Sequence, residues 1–162
     1  MAQRQIVKEG DELLRKKSKA VKTFDENLWN LLDDMAESMY KNCGMGLAAV
    51  QVGVLKRVVV MEVNGAFFEM INPEILAQKG EVEDEEACLS VPNKRGIVAR
   101  PEEVTVRFLD RFGYTMTITG EGHFARCVCH ELDHLDGILY IDKIIKKPKG
   151  KKSAYYSKEL QK

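Results

Sequence analysis

Residues 121–135 read EGHFARCVCHELDHL. Apolar side chains recur there at helical spacing: Phe124, Cys127 or Val128, then Leu132 and Leu135, with Gly137 just beyond as a stop. Within this helix His130, Glu131, Leu132, Asp133 and His134 form an HExxH pattern. Two His at i and i+4 lie on one helix face, one turn apart, so both imidazoles can reach a single metal ion. Glu131 sits about 100° round the helix. There its carboxylate can meet a water at the metal and serve as general base. A solvated helix carrying two surface His is the plainer alternative. Against it stand the core-type stripe on the same helix and the presence of only three His in the chain.

Two His do not complete a catalytic site, which takes a third protein ligand and keeps one position open. On the same helix, Cys127 lies about 10 Å along the axis from His134 and His123 about 16 Å, too far to share a metal with both His. No His follows His134, and Glu159, in a polar tail, is a poor candidate. Cys43, Cys88 or an acid from the middle of the chain remain, and helix geometry does not choose among them.

Outward from this helix the chain reads as one domain. A length of 162 residues, 44% hydrophobic and 31% charged, supports an ordinary globular core without a metal or disulfide to hold it. Residues 1–22 suggest an extended arm with a short helical turn at 11–16. Thr23 followed by Glu26 fits a capping box. After it Leu28, Leu31, Leu32, Met35 and Met39 make one apolar stripe that closes at Gly44. Residues 57–63 and 67–71 flank Asn64-Gly65, a hairpin signal. Residues 103–109 and 114–119 alternate at period two around a turn at Arg111-Phe112-Gly113, while Pro73, Pro92 and Pro101 punctuate loops. The expected fold is α+β, with antiparallel strands packed around a central metal-binding helix in a single domain over 1–145, followed by a basic polar tail over 146–162.

Three segments taken together resemble one family. Residues 44–51 read GMGLAAVQ, residues 86–90 read EACLS before Val91-Pro92, and HELDH follows. These stand in the order, and near the spacings, of the three motifs of peptide deformylase, over roughly residues 11–142. The resemblance implies an enzyme that removes the formyl group from the N-terminal formyl-methionine of new polypeptides and releases formate. By matching position, Cys88 would be the third metal ligand with His130 and His134, and Glu131 the general base and acid. The Gln51 side chain and the Leu89 backbone N–H would stabilise the oxyanion. Gly44 and Gly46 would let a peptide approach closely, Gly46 bonding its backbone. Met45 and Cys127 would line the methionine pocket, and Arg95 would lie near the substrate path. One thiolate and two imidazoles suit Fe(II), Zn or Ni, and in the family Fe(II) is the usual native metal. Two positions depart from the pattern: Ala87 stands where Gly is usual, and Cys129 where Gln is common.

The formal net charge of zero argues against a surface wholly devoted to nucleic acid. It conceals an acidic block, Glu81, Glu83, Asp84, Glu85 and Glu86, before Cys88, and a basic one, Lys143, Lys146, Lys147, Lys149, Lys151 and Lys152. The basic block reads chiefly as a solvated tail, with ribosomal RNA as the alternative partner. No apolar run approaches the roughly 18 residues of a membrane span, and no leader is recognised, so the expected location is cytoplasmic, with the Cys as thiols or ligands. Another metal hydrolase, such as a peptidase, and a non-catalytic descendant of the enzyme are the competing functions.

Overall fold

The run VVVMEV is apolar on both sides of the strand it forms, which requires cover on both faces. A computed structural model, describing residues 2–148, shows what supplies that cover. In chain order the elements are α1 Glu26–Lys41, β1 Gly46–Ala48, β2 Val58–Val63, β3 Ala66–Lys79, β4 Val82–Cys88, β5 Val91–Arg100, β6 Glu103–Leu109, β7 Thr115–Glu121, α2 His123–Leu135 and β8 Ile144–Lys146, with short 3₁₀ turns at Glu12–Arg15, Ala49–Val52 and Tyr140–Lys143. The pairing is antiparallel throughout the two sheets, one ordered β1-β2-β3-β6-β7 and one β4-β5-β8. Val58 and Val60 of β2 join Leu28, Leu32, Met35 and Met39 of α1 in one core. Val59, Met61 and Val63 join Phe124, Val128, Cys127 and Leu132 of α2 in the other. The five-stranded sheet thus carries α1 on one face and α2 on the other, and α2 also meets β5 of the smaller sheet.

The Asn64-Gly65 hairpin forms as the dipeptide suggests, with both residues at positive φ and Val63 paired to Ala66. Four details differ from the sequence reading. The cap of α1 is Asp25, not Thr23: its carboxylate accepts from the Leu28 N–H at 3.2 Å. The helix ends at Lys41, before Gly44, and Cys43 takes the left-handed turn at φ 59°. Pro73 does not end its strand. It falls inside a register shift between Ile71 and Glu74, where Asn72 holds the chain by bonding the Val21 N–H and C=O through its side chain. Pro92 lies near the start of β5, so the acidic block and the segment after it form a hairpin, β4–β5, rather than loops. Most of the basic tail lies outside the described residues. Within them Lys146 pairs with Glu83, which joins the two charge blocks at one point, and Lys143 pairs with Asp133 of the α2 segment.

Candidate metal centre

Helix α2 presents His130 and His134 from one face, with ring centroids 5.1 Å apart. A register shift in the β4–β5 pairing between Glu86 and Cys88 re-aims the end of β4. It delivers Cys88 to the two His: one donor atom from each of the three lies within 4.8 Å of the others, and all three residues are buried. Cys88 Sγ is 3.3 Å from His134 Nε2. Of the alternatives that helix geometry left open, Cys88 is the one brought to the pair. Cys43 sits at the end of α1, and His123 opens α2 beside a separate small cavity with Val82, Asp84 and Pro101.

The residue beneath this cluster is Glu86, fully buried. It accepts from Arg100 Nε at 2.8 Å, Arg100 Nη2 at 2.9 Å, Arg126 Nη1 at 2.7 Å and His130 Nδ1 at 2.8 Å. Burial alone would raise its pKa, but the bonds from Arg100 and His130 overcome this and hold the carboxyl far below the usual range. An ionised carboxylate only accepts, so His130 must donate from Nδ1. That commits Nδ1 to Glu86 and makes Nε2 the ring nitrogen that would hold a metal. Burial opposes a charge on His130, yet its bonds to Cys88 and Glu86 raise its pKa well above the ordinary value. His134 is pushed well below by burial and by His130, which keeps its imidazole neutral as a ligand requires. Tyr140, buried, stacks on His130 with centroids 5.9 Å apart and planes 24° apart.

Glu131 is buried, and burial pushes its carboxyl up to about 7 although the His130 charge opposes the rise. Its Oε1 and the Nδ1 of His134 are buried polar atoms without a hydrogen bond among the described residues. The carboxylate lies against Gly46: a Cβ built there would be 2.6 Å from Glu131 Oε2. Gln51 is held at both ends of its amide. Oε1 accepts from the Ala48 N–H at 2.9 Å, and Nε2 donates to Ser90 Oγ at 3.0 Å and to Cys88 Sγ at 3.5 Å. Leu89 and Ser90 form the link between β4 and β5, so Leu89 is next to Cys88 and close to Gln51. Gly44 abuts Leu89, whose Cδ1 would be 2.9 Å from a Cβ at that position. Met45 and Cys127 are buried together, the Cys127 thiol directed at the Met45 carbonyl at 3.9 Å. Arg95 lies on β5 and pairs with Glu85 at 3.8 Å.

In the sequence Glu86 stood out only as the first residue of the second motif and as one charge of an acidic block, with no role assigned, and Arg100 and Arg126 were passed over. A signal was present: Glu86 stands two residues before Cys88 on a strand, and Arg126 stands one turn before His130 on a helix. Asp133, inside the HExxH pattern, accepts from Arg100 Nη1 at 2.7 Å and extends the same ion-pair chain to Lys143. Of the two departures, Ala87 is buried in the α2-side core. Cys129 faces a cavity of about 430 Å³ that it shares with Arg57, Arg100 and Asp133. Burial there pushes its thiol up to about 11, so it remains a neutral thiol at ordinary pH.

Residues 3–150 match the model of the polypeptide deformylase family. The chain belongs to that family. It is 54% identical over 146 residues to a peptide deformylase of Caldicellulosiruptor bescii, covering 90% of this chain and 88% of the relative. To one of Acetivibrio thermocellus it is 55% identical over 146 residues, covering 90% and 86%. The fold superposes on the crystal structure of a peptide deformylase from Legionella pneumophila with a TM-score of 0.86 at 48% identity, covering 88% of this chain and 86% of that one. Family membership makes the chain a metal-dependent hydrolase. Among the described residues no helix is long and apolar enough to cross a membrane.

Proposed function

We propose that this chain removes the formyl group from the formyl-methionyl N-terminus of nascent polypeptides, releasing formate and a free amine. The observation that carries the reading is the buried Cys88, His130 and His134 cluster with Glu131 Oε1 buried and without a hydrogen bond among the described residues. These three residues would hold one divalent ion, with Fe(II) the best match to a thiolate and two imidazoles and Zn or Ni as alternatives. When bound, the ion supplies Lewis-acid polarisation of the formyl carbonyl and acidifies a water.

The remaining chemistry belongs to the chain. Glu131, on the central helix α2, takes the proton from the attacking water as its oxygen bonds to the formyl carbon, and then returns a proton to the amine as the C–N bond breaks. Charge gathers on the formyl oxygen between these steps. The Gln51 amide and the Leu89 N–H are the donors that would receive it, and the Gln51 amide is already held by Ala48 and Ser90. β1 is the edge strand of its sheet. Gly46 on that edge can bond the peptide backbone as an added strand, with Gly44 giving close approach. Met45 and Cys127 would receive the methionine side chain, and Arg95 would sit along the path of the following residues. Residues 1–145 would form the catalytic part, acting on new chains in the cytoplasm.

The test is anaerobic purification with metal analysis, followed by formate release from a formyl-Met peptide. Stoichiometric metal without formate would overturn the reading. Glu131→Gln is expected to keep its metal and lose turnover, and retained turnover would remove it as the base. Cys88→Ala is expected to lower the metal load, and an unchanged load would remove Cys88 from the ligands.

A further inference from the structure

The N-terminal arm ahead of Gly10 crosses the part of the site where the two sheets meet. Ile6 anchors it in the α1-side core, and Val7 packs against the α2-side core. Three successive residues then bind Gln51, Leu89 and Ser90, the two candidate oxyanion donors and the residue after the second. The Val7 N–H donates to the Gln51 carbonyl at 2.7 Å, and the Glu9 N–H donates to the Ser90 carbonyl at 2.7 Å. Between them Lys8 Nζ donates to the Leu89 carbonyl at 3.1 Å.

Gln51 and Leu89 come from separate parts of the fold. Gln51 lies in the 3₁₀ turn after β1, an edge of the five-stranded sheet, and Leu89 lies in the link between β4 and β5 of the other sheet. The Gln51 side chain reaches across to Ser90 Oγ at 3.0 Å. The arm adds main-chain bonds to both sides of the same gap. In an extended chain the N–H groups of residues i and i+2 point the same way, roughly 6.6–6.8 Å apart. Val7 and Glu9 therefore act as a ruler: one edge of the arm sets the separation of the Gln51 and Ser90 carbonyls. Lys8 holds the carbonyl of Leu89, the residue whose N–H is read as the second donor.

We infer that residues 7–9 are positioning residues for turnover, fixing the spacing of the Gln51 amide and the Leu89 N–H without touching the substrate. The inference rests on the reading of Gln51 and Leu89 as oxyanion donors. Donors act by being in place before charge develops, so a donor pair free to drift loses rate rather than substrate affinity.

The test uses the full chain loaded with metal. Val7→Pro and Glu9→Pro each delete one bridging N–H, while Val7→Ala and Glu9→Ala keep it. Bound metal, melting temperature, and kcat and KM per metal-loaded chain are measured with a formyl-Met peptide. The proline variants are expected to keep their metal and lose about tenfold or more in kcat, part of the 10²–10³-fold carried by a whole oxyanion donor. KM is expected to stay within about twofold, and the alanine variants to match the parent. Parental kcat in both proline variants would overturn the inference, as would a loss in folded variants that merely tracks lost metal. If the proline variants do not fold, Lys8→Met, at an exposed position, carries the test: a severalfold fall in kcat at unchanged metal supports the arm, and parental kcat overturns it. Combining Val7→Pro with Gln51→Met separates the two failures. Full turnover in Gln51→Met alone refutes the donor reading. A disabled Gln51→Met with arm effects that simply multiply it refutes the coupling through Gln51.

Discussion

Gly46→Ala probes how tightly the base is placed. A Cβ at residue 46 would lie 2.6 Å from Glu131 Oε2, 2.9 Å from its Cδ and 3.0 Å from Cys127 Sγ. Non-bonded carbon contacts settle near 3.5 Å, so the carboxylate must retreat by close to 1 Å. It sits at the end of a flexible side chain, whereas β1 is paired to β2 and α2 is packed in the core. The carboxylate therefore moves and the backbone does not. A displacement of about 1 Å at a reacting group costs on the order of 10²-fold in rate, or about 2.7 kcal/mol. The assay is kcat per bound metal, with melting temperature alongside. Fold and metal content are expected to match the parent, with kcat about 10²-fold lower and KM nearly unchanged. Gly44→Ala, which meets only the tip of Leu89 at 2.9 Å, should do less to the rate. A fully active, fully loaded Gly46→Ala would show that Glu131 need not occupy its observed place.

Three further outcomes follow from the charges and the cap. Glu86→Gln keeps the shape of the side chain but leaves Arg126 buried without its counter-charge and Arg100 with Asp133 alone, a loss of about 3–5 kcal/mol. At 2–4 °C per kcal/mol for a domain of this size, melting of the chelated protein should fall by roughly 6–20 °C, and a melt matching the parent's would refute it. Asp25→Ala removes the observed cap of α1 and should lower stability by about 1 kcal/mol, whereas Thr23→Ala should leave it unchanged; the reverse order would reinstate Thr23. Asp142 is bonded by Arg15, with burial opposing and the Leu139 N–H assisting, and its pKa is lowered. A carboxyl depressed in the folded state adds stability above its unfolded value and loses it as pH falls through the folded one. The melting difference between the parent and Asp142→Asn should therefore be present at neutral pH and close below about pH 4; a difference that persists in acid would remove the ion pair as its source.

Much of the fold was legible because its signals are local. Asn64-Gly65 fixed one hairpin, the alternation over 103–109 fixed another strand, and the helical stripes located α1 and α2. The β4–β5 hairpin was not legible. Its acids mask the period-two pattern, since Glu85 and Glu86 are buried beside Arg95 and Arg100 of the facing strand and, for Glu86, Arg126 of α2. Pro92 added a false loop signal. The cap was misplaced by two residues because Thr23 and Asp25 are both good caps, and only the chain path selects between them. In the candidate site, HExxH and its neighbours could be named from spacing and resemblance. The support beneath them could not, because Glu86, Arg100 and Asp133 are meaningful only once β4, β5 and α2 meet.

Strand β2 has a consequence for how the molecule comes apart. Its alternate residues belong to different cores, Val58 and Val60 to that of α1 and Val59, Met61 and Val63 to that of α2. Neither core can open fully while β2 stays in place, and β2 cannot leave without dissolving both. The two cores are therefore bound into one cooperative unit. Amides of β2 exchange with solvent only through global opening, while those near the helix ends exchange through smaller fluctuations. Stripping a metal from the α2 side would then lower the melting of the whole domain in a single transition, and the α1 side would register the loss as fully as the helix that held the ion.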